Sequence, residues 1–225
     1  MTTALDEVLS QRRRVAGVRH QLATSRLLRG GGMLRTRIAA RAELAALSAD
    51  SLRSHADAVE ARVEAPSSDE RGDPDRWLES APGGSALDAF AGAPDMLGLL
   101  RRATGVTWQP AGPGTWSYYR REGHHLGVHR DLAVCDLAVI TCVRDEGGGA
   151  SSGVLRLWPT RARESLNALR DDDRGGIDVH LEAGDTILLL GGVVPHRVLP
   201  LAAGHVRIVA PLCFRVSSPG PSGSP

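Results

Sequence analysis

The second half of the chain is built from short apolar segments that alternate with turn residues, and this pattern limits the fold more than any other feature. Glycine and aspartate cluster between the segments, as in Asp145–Gly149 and Ala183–Asp185. Short strands at regular spacing predict an antiparallel sandwich or barrel. The segments with strand-like composition are 115–121, 133–143, 153–158, 177–181, 186–191, 197–201 and 206–214.

The first half of the chain has helical periodicity. We predict helix over residues 1–62, because apolar side chains recur at steps of three and four, as at Leu52, Ala56, Val59 and, just beyond this range, Val63. A short helix, Met96–Arg102, follows Pro94-Asp95. We therefore predict an α+β protein in which N-terminal helices pack on the barrel. Its expected divisions are a helical part (1–103) containing a linker (64–84), a β core (104–216) and a disordered tail (217–225).

The composition excludes several classes of protein. The chain has 225 residues, of which 42% are hydrophobic and 24% are charged, as is typical of soluble globular proteins. No apolar run is long enough for a membrane span, and no secretory signal is visible, so we expect a cytoplasmic protein. The net charge of +1 gives no global field that would attract nucleic acid. The chain contains no lysine, which excludes Schiff-base chemistry.

The three cysteines, Cys135, Cys142 and Cys213, lie in apolar, strand-like segments. Their number is odd, and no CxxC pair indicates a zinc or redox site. We expect buried free thiols rather than disulfides.

Two histidines and one aspartate form the candidate metal site. In an extended segment, His129 and Asp131 point to the same face, because side chains alternate along a strand. His196 follows the apolar segment TILLLGG. Two imidazoles and a carboxylate are the ligands of non-haem ferrous sites, which keep three positions open. Arg207, eleven residues after His196, could hold the far carboxylate of a ligand bound to that ion.

From Tyr118 to Phe214 the chain resembles the iron(II)/2-oxoglutarate-dependent oxygenases, and most of all their prolyl-4-hydroxylase-like branch. The matching motif runs from Tyr119 through Gly123 to His129-Arg-Asp131. His196 and the segment HVRIVAPLCFRV, which contains Arg207, complete the match. The resemblance implies a double-stranded β-helix, that is, a jelly-roll or cupin-like barrel.

The resemblance also implies roles for individual residues. His129, Asp131 and His196 would bind iron, and Arg207 would bind the distal carboxylate of 2-oxoglutarate. The family often has Ser or Thr two residues after this arginine, where this chain has Val209. A second contact must then come from elsewhere, and Tyr119 is the first candidate, with Thr141 behind it. Tyr118 would point to the opposite face of the strand from Tyr119.

The reaction implied is hydroxylation of an unactivated C–H bond, with O2 as oxidant and release of succinate and CO2. Related halogenases lack the carboxylate ligand, so Asp131 favours hydroxylation; desaturation and cyclisation stay open. We expect a small-molecule or amino-acid substrate, free, peptidyl or carrier-bound, in secondary metabolism, and no nucleic-acid or membrane partner. The sequence does not indicate an oligomeric state. Arginines near the motif could bind a substrate carboxylate or phosphate: Arg120, Arg121, Arg130, Arg156 and Arg197.

Two other interpretations remain open. A cupin-like barrel could bind a metal without using 2-oxoglutarate, although such a site would favour His-x-His with a nearby Glu. A non-catalytic binding protein could have the same fold, although such proteins usually lack one of the ligands. In both cases the barrel would be the same and only the chemistry would differ.

Overall fold

The computed structural model describes residues 18–37, 40–65 and 74–217. The helices are α1 (Arg19–Ala23), α2 (Arg26–Arg29), α3 (Arg41–Ser54), α4 (Ser85–Gly92), α5 (Pro94–Thr104) and α6 (Leu166–Asp171), with 3-10 turns at His55–Asp57 and Pro159–Arg161. The strands are β1 (Met33–Arg37), β2 (Val59–Val63), β3 (Arg76–Pro82), β4 (Trp108–Pro110), β5 (Thr115–Tyr119), β6 (His125–His129), β7 (Leu137–Glu146), β8 (Leu155–Leu157), β9 (Ile177–Val179), β10 (Asp185–Leu189), β11 (His196–Val198) and β12 (Val206–Val216).

All twelve strands belong to one antiparallel sheet that curls on itself. The order is β1-β10-β7-β12-β5-β3-β6-β11-β8-β9, with β2 beside β3 and β4 beside β12. The long strand β3 joins the two halves of the curl, because one part of it pairs with β5 and another part with β6. This architecture is the jelly-roll barrel with accompanying helices, so the predicted fold class is confirmed.

The sheet has an apolar core on each of its faces. One face packs against the helices and buries Leu47 of α3, Phe90 of α4 and Leu100 of α5 with Trp116 of β5. The other face lines the barrel interior with a second cluster, which includes Tyr119, Cys142, Leu157, Ile187 and Leu189. Each large apolar side chain removed from water contributes about 1.5–3 kcal/mol. The packing of helices on the barrel agrees with the prediction.

Helix α5 shows how the sequence sets the element boundaries. It begins at Pro94. Proline suits the first helical turn, because a backbone N–H at that position would have no acceptor within the helix and proline has none to satisfy. It ends before Gly105, whose φ of 74° is the left-handed conformation that glycine adopts without strain. The helix predicted over Met96–Arg102 is therefore confirmed, with one further turn at its boundaries.

The helical prediction for residues 1–62 was wrong at two segments, and residues 1–17 lie outside the described part. Strands β1 and β2 replace helix, and β3 lies within the predicted linker. In β2, Val59 and Val63 are four residues apart, a spacing that a helix and a strand both place on one side. The segment forms a strand and not a helix because β2 pairs with β3. Residues 66–73 and the tail from 218 also lie outside the described ranges.

The prediction that all cysteines are free was wrong for two of them. Cys135 and Cys213 form a disulfide, with their Cα atoms 4.8 Å apart. Cys213 on β12 lies opposite Ala138, near the start of β7, so antiparallel pairing brings together residues 78 positions apart in sequence. Cys142 is free and buried, and burial raises the pKa of its thiol to about 11. No helix in the described ranges is both long and apolar enough to cross a membrane.

Candidate metal centre

The two candidate histidine ligands lie opposite each other on neighbouring strands. His129 is the last residue of β6, His196 is the first residue of β11, and the two are paired in the sheet register. The pairing is irregular between His196 and Val198, where β6 has one residue more than β11. Such a bulge changes the side-chain alternation and can redirect a side chain. The barrel thus brings together two residues that lie far apart in the sequence.

The three predicted ligands converge. Oδ1 of Asp131 lies 3.8 Å from Nε2 of His129 and 3.6 Å from Nε2 of His196. The two imidazole rings are 4.1 Å apart between centroids. One ligand atom from each residue lies within 4.8 Å of the others, a separation that one ion can span. In the described part of the chain, this is the only group of three or more such residues with that spacing.

Backbone carbonyls hold both imidazoles in the orientation that a metal needs. Nδ1 of His129 donates to the carbonyl of Gly127 at 2.8 Å, and Nδ1 of His196 donates to that of Val194 at 3.0 Å. The Nε2 lone pairs are then directed at the site. Burial, aided by the neighbouring His196, lowers the pKa of His129 to about 3. The imidazole is neutral near pH 7, which is the form that binds metals.

The carboxylate ligand is held in place by residues after β10. The backbone N–H of Asp131 donates to the carbonyl of Gly191 at 2.9 Å. A Cβ atom at position 191 would overlap with the Asp131 carboxylate, so only glycine leaves room for it. Oδ2 of Asp131 is buried and has no hydrogen-bond partner. A buried carboxylate oxygen without a partner is costly, which is the condition that a bound cation would relieve.

Arg207 and Tyr119 lie together in the barrel interior. Arg207 is 2% exposed, and its Nη1 donates to Oδ1 of Asp145 at 2.9 Å and to the carbonyl of Leu181 at 2.8 Å. Tyr119 on β5 is its neighbour in the sheet register. Burial raises the pKa of the Tyr119 hydroxyl, and the nearby Arg207 opposes that shift. That hydroxyl makes no hydrogen bond to any described residue.

The structure separates Thr141 from this pair. Its hydroxyl is 3.0 Å from that of Thr186 on β10, and the two residues are opposite in register. Both lie on the face of the sheet that packs against the helices, because they alternate with Cys142 and Ile187 of the interior cluster. Tyr118 is on that same face and donates its hydroxyl to the carbonyl of Ser51. Thr141 thus faces away from Arg207.

The five arginines near the motif have partners within the protein. Arg130 is buried and donates to the carbonyls of Ala162 at 3.0 Å and Glu164 at 2.8 Å, which ties neighbouring loops to the metal segment. The others contact carboxylates: Arg120 with Glu79, Arg121 with Glu60, and Arg156 and Arg197 with Asp173. None of them is offered as a free cation to a substrate.

A surface groove lies next to strand β6 without including the candidate ligands. Its volume is about 570 Å³, and its lining includes His125, Gly127, Val128 and Arg197 but none of His129, Asp131 and His196. The ring of Trp158 lies under Arg197, on the outer side of β8 and β11. Size alone therefore does not identify the site, and the converging ligands do.

Two residues of the site were missed in the sequence. Gly191 leaves room for Asp131, and the paired glycines that end TILLLGG are the kind of signal that marks close approach. Asp145 contacts Arg207 but was assigned to a turn, and no local pattern distinguishes it.

The chain matches no family profile and no curated protein, but it is similar to solved structures. A prolyl-4-hydroxylase from Pseudomonas putida is 22% identical, with 91% of this chain and all of that chain covered and a TM-score of 0.54. The non-heme alpha-ketoglutarate-dependent epimerase SnoN of nogalamycin biosynthesis is 14% identical, with 92% and 88% covered and a TM-score of 0.62. HygX from Streptomyces hygroscopicus, solved with nickel, 2-oxoglutarate and hygromycin B, is 12% identical, with 92% and 87% covered and a TM-score of 0.59.

The chain shares the jelly-roll fold of these structures. The coverage extends over nearly the whole of each of these structures, so the likeness includes the helices as well as the barrel. At 12–22% identity the likeness concerns the oxygenase fold alone. The chemistry has to be argued from the residues of this chain.

Proposed function

We propose that the protein is an Fe(II)/2-oxoglutarate-dependent dioxygenase. It hydroxylates an unactivated C–H bond of a small-molecule, amino-acid or peptidyl substrate and releases succinate and CO2. The observation that carries the proposal is the convergence of His129, Asp131 and His196, with one buried Asp131 oxygen that lacks a partner.

The donor set suits ferrous iron. Two neutral imidazoles and one carboxylate on one side of an ion form the facial arrangement that leaves positions for a bidentate ligand and O2. The backbone carbonyls of Gly127 and Val194 fix both imidazoles before a metal arrives, so binding needs little rearrangement. When bound, iron and 2-oxoglutarate together would activate O2 for attack on a C–H bond.

The barrel interior suits the far end of 2-oxoglutarate. Arg207 uses only Nη1 in its hydrogen bonds to described residues, so its Nη2 is free to donate to a carboxylate. Tyr119, opposite in register, supplies the second donor that Val209 cannot. Leu157 and Leu189 belong to the same buried apolar cluster as Tyr119, and a low-dielectric surrounding of this kind strengthens charge-assisted hydrogen bonds.

The similar structures support a class of reactions and do not indicate one particular reaction. They include a prolyl hydroxylase, an epimerase and a carbocyclase, so proteins with this fold catalyse several different reactions. Hydroxylation is our proposal because Asp131 occupies the carboxylate position. Peptide and small-molecule ligands both occur among these neighbours, a peptide fragment in one and hygromycin B in another, so both classes belong in the substrate screen.

The decisive experiment is an anaerobic titration of the metal-free protein with ferrous iron and then with 2-oxoglutarate. We expect the weak visible charge-transfer band of the chelate, and we expect the His196→Ala protein to lack it. Succinate release would then be screened with free amino acids, peptides and small molecules. Absence of the band in the parent protein, with iron bound, would contradict the proposal.

One observation favours a second candidate. Arg207 is already paired with Asp145, as expected of an arginine with a purely structural role. A cupin-like barrel that binds a metal without 2-oxoglutarate would bind iron in the same titration and give no chelate band. A non-catalytic protein on this fold would bind neither.

A further inference from the structure

A buried polar network surrounds the proposed 2-oxoglutarate anchor. Oδ1 of Asp145 accepts from Nη1 of Arg207 at 2.9 Å and from Nε2 of His205 at 3.0 Å. Nε2 of His180 lies 3.2 Å from the other oxygen. His205 continues the network to Ser152, whose Oγ is 2.6 Å from Nδ1. The side chains of Arg207, Asp145 and His205 are 3%, 8% and 0% exposed.

The hydrogen-bond partners determine where the protons lie. Oγ of Ser152 accepts from the backbone N–H of Ala202 at 2.7 Å, so its own hydrogen is available to Nδ1 of His205. His205 then carries its proton on Nε2 and donates it to Asp145. In this arrangement Ser152, His205 and Asp145 each have hydrogen-bond partners. The network therefore fixes the position of the Asp145 carboxylate.

Serine, histidine and aspartate also form the catalytic triad of serine hydrolases, but the arrangement of Ser152, His205 and Asp145 does not suit a nucleophile. Ser152 is 5% exposed, and its oxygen already accepts from the backbone of Ala202. A nucleophilic hydroxyl must be open to substrate and close to donors that stabilise an oxyanion. Ser152 is therefore not open to a substrate, and the network contacts Arg207 instead.

We propose that Asp145 is a positioning residue, which orients Arg207 so that the edge of its guanidinium away from Asp145 binds the distal carboxylate of a 2-oxo dicarboxylate. This inference rests on the proposed function. An arginine side chain has many rotamers, and a buried one without a fixed partner would leave its site. Asp145 and the carbonyl of Leu181 both bind Nη1, which holds the plane of the guanidinium.

The Asp145 charge does not prevent a second carboxylate from binding nearby. Its two oxygens face three nitrogen atoms, on Arg207, His205 and His180, which disperse its charge. The guanidinium has five N–H groups in one plane, of which Nη1 serves Asp145 and Leu181. A distal carboxylate at Nη2 would meet a cation already aligned, and this lowers the entropy lost on binding.

The test compares two ligands that share the iron-chelating end. 2-Oxoglutarate carries the distal carboxylate, and 2-oxopentanoate has the same number of carbon atoms with a methyl group in place of that carboxylate. The dissociation constants of both are measured anaerobically on the Fe(II)-loaded protein from the chelate band. We expect Asp145→Ala to lower the preference for 2-oxoglutarate by about tenfold and leave 2-oxopentanoate unchanged. Asp145→Asn, which keeps an acceptor oxygen, should lie between the parent and Asp145→Ala.

The controls separate positioning from a general loss of structure. Asp173→Ala removes an aspartate from an exposed arginine pair and should leave the preference unchanged. In an Arg207→Ala background, Asp145→Ala should have no further effect on the preference, since it acts through Arg207. An unchanged or increased preference in Asp145→Ala and Asp145→Asn would overturn the inference. A parent protein that does not prefer 2-oxoglutarate at all would instead overturn the proposed function.

Discussion

Buried charge is unpaired at one end of the barrel interior, where the candidate metal ligands lie, and paired at the other, where Arg207 lies. At the metal end, Asp131 lies beside two imidazoles, and one of its oxygens has no partner. At the anchor end, Arg207 and Asp145 neutralise each other, and hydrogen bonds continue from Asp145 to His205 and Ser152. Buried charges are tolerated when they are paired or bind a metal. The charge at the metal end is therefore uncompensated in the protein alone, whereas the charges at the anchor end are paired before any ligand binds.

This difference predicts different responses to mutation. Removing a group at the metal end takes away an uncompensated charge, so it should abolish function at little cost to the metal-free fold. Removing one partner at the anchor end leaves the other buried without a counter-charge, so it should weaken both ligand binding and stability.

The largest effect is expected from Asp131→Ala. Loss of the carboxylate ligand should weaken Fe(II) binding by at least about a hundredfold, since even residues that only orient a ligand contribute up to that factor. The metal-free variant should be at least as stable as the parent, because the unpartnered oxygen is gone. Metal titration and chemical denaturation check both. Asp88→Ala, on an exposed helical surface, is the control. If the metal-free Asp131→Ala protein were strongly destabilised, Asp131 would not be an uncompensated charge, and the contrast between the two ends would be wrong.

Arg207→Ala should have the next largest effect, at the opposite end of the barrel. Loss of two charge-assisted hydrogen bonds should weaken 2-oxoglutarate binding by about a hundredfold while iron binding stays unchanged. Asp145 loses its cation, so the free energy of unfolding should fall by about 3–5 kcal/mol. Arg156→Ala breaks exposed ion pairs and should cost less than about 1 kcal/mol. Equal stabilities of the two variants would show that the anchor end is not a coupled network.

Gly191→Ala tests the metal end without removing a ligand. A Cβ atom there would overlap with the Asp131 carboxylate, which must turn away from the two imidazoles. We expect iron affinity to fall by about tenfold. Gly112→Ala is the matched control, since its Cβ would meet nothing within 4 Å. Unchanged iron binding in Gly191→Ala would mean that the carboxylate has room that the structure does not show.

The same contrast explains what the sequence could reveal. The three converging side chains were predictable as candidates because HxD in an extended segment and a histidine after an apolar strand are local patterns, and the first of them depends on the alternation of side chains along a strand. Arg207 was found by its distance from His196 within the family resemblance. Asp145 was not, because its role arises only when β7 and β12 pair. A residue that depends on register with a distant strand has no signature near its own position.

The fold shows the same limit. The apolar strands of the second half were predictable, whereas β1 (MLRTR) and β2 (VEARV) are polar segments near the edges of the sheet. Arginine, glutamate and alanine favour helices, and only pairing with β10 and β3 makes these segments strands. Cys135 and Cys213 likewise meet only because β7 pairs with β12. Local propensity cannot supply any of these contacts.

The smallest effect, and the finest test of the comparison, comes from the adjacent tyrosines of β5. Tyr119 faces the interior beside Arg207, and its hydroxyl has no partner in the described structure. Tyr118 faces the helices, and its hydroxyl donates to the carbonyl of Ser51 at 2.7 Å. Tyr119→Phe should weaken 2-oxoglutarate binding by about fivefold, the value of one hydrogen bond, with unchanged stability.

Tyr118→Phe should do the reverse. It removes the side-chain donor to the carbonyl of Ser51, which then keeps only the backbone N–H of His55, so the free energy of unfolding should fall by about 1 kcal/mol while the affinity for 2-oxoglutarate stays the same. The two variants remove the same atom one residue apart, so each is the control for the other. If Tyr119→Phe lowered stability and left affinity unchanged, its hydroxyl would belong to the packing of the barrel, and the second contact to the distal carboxylate would have to come from another strand.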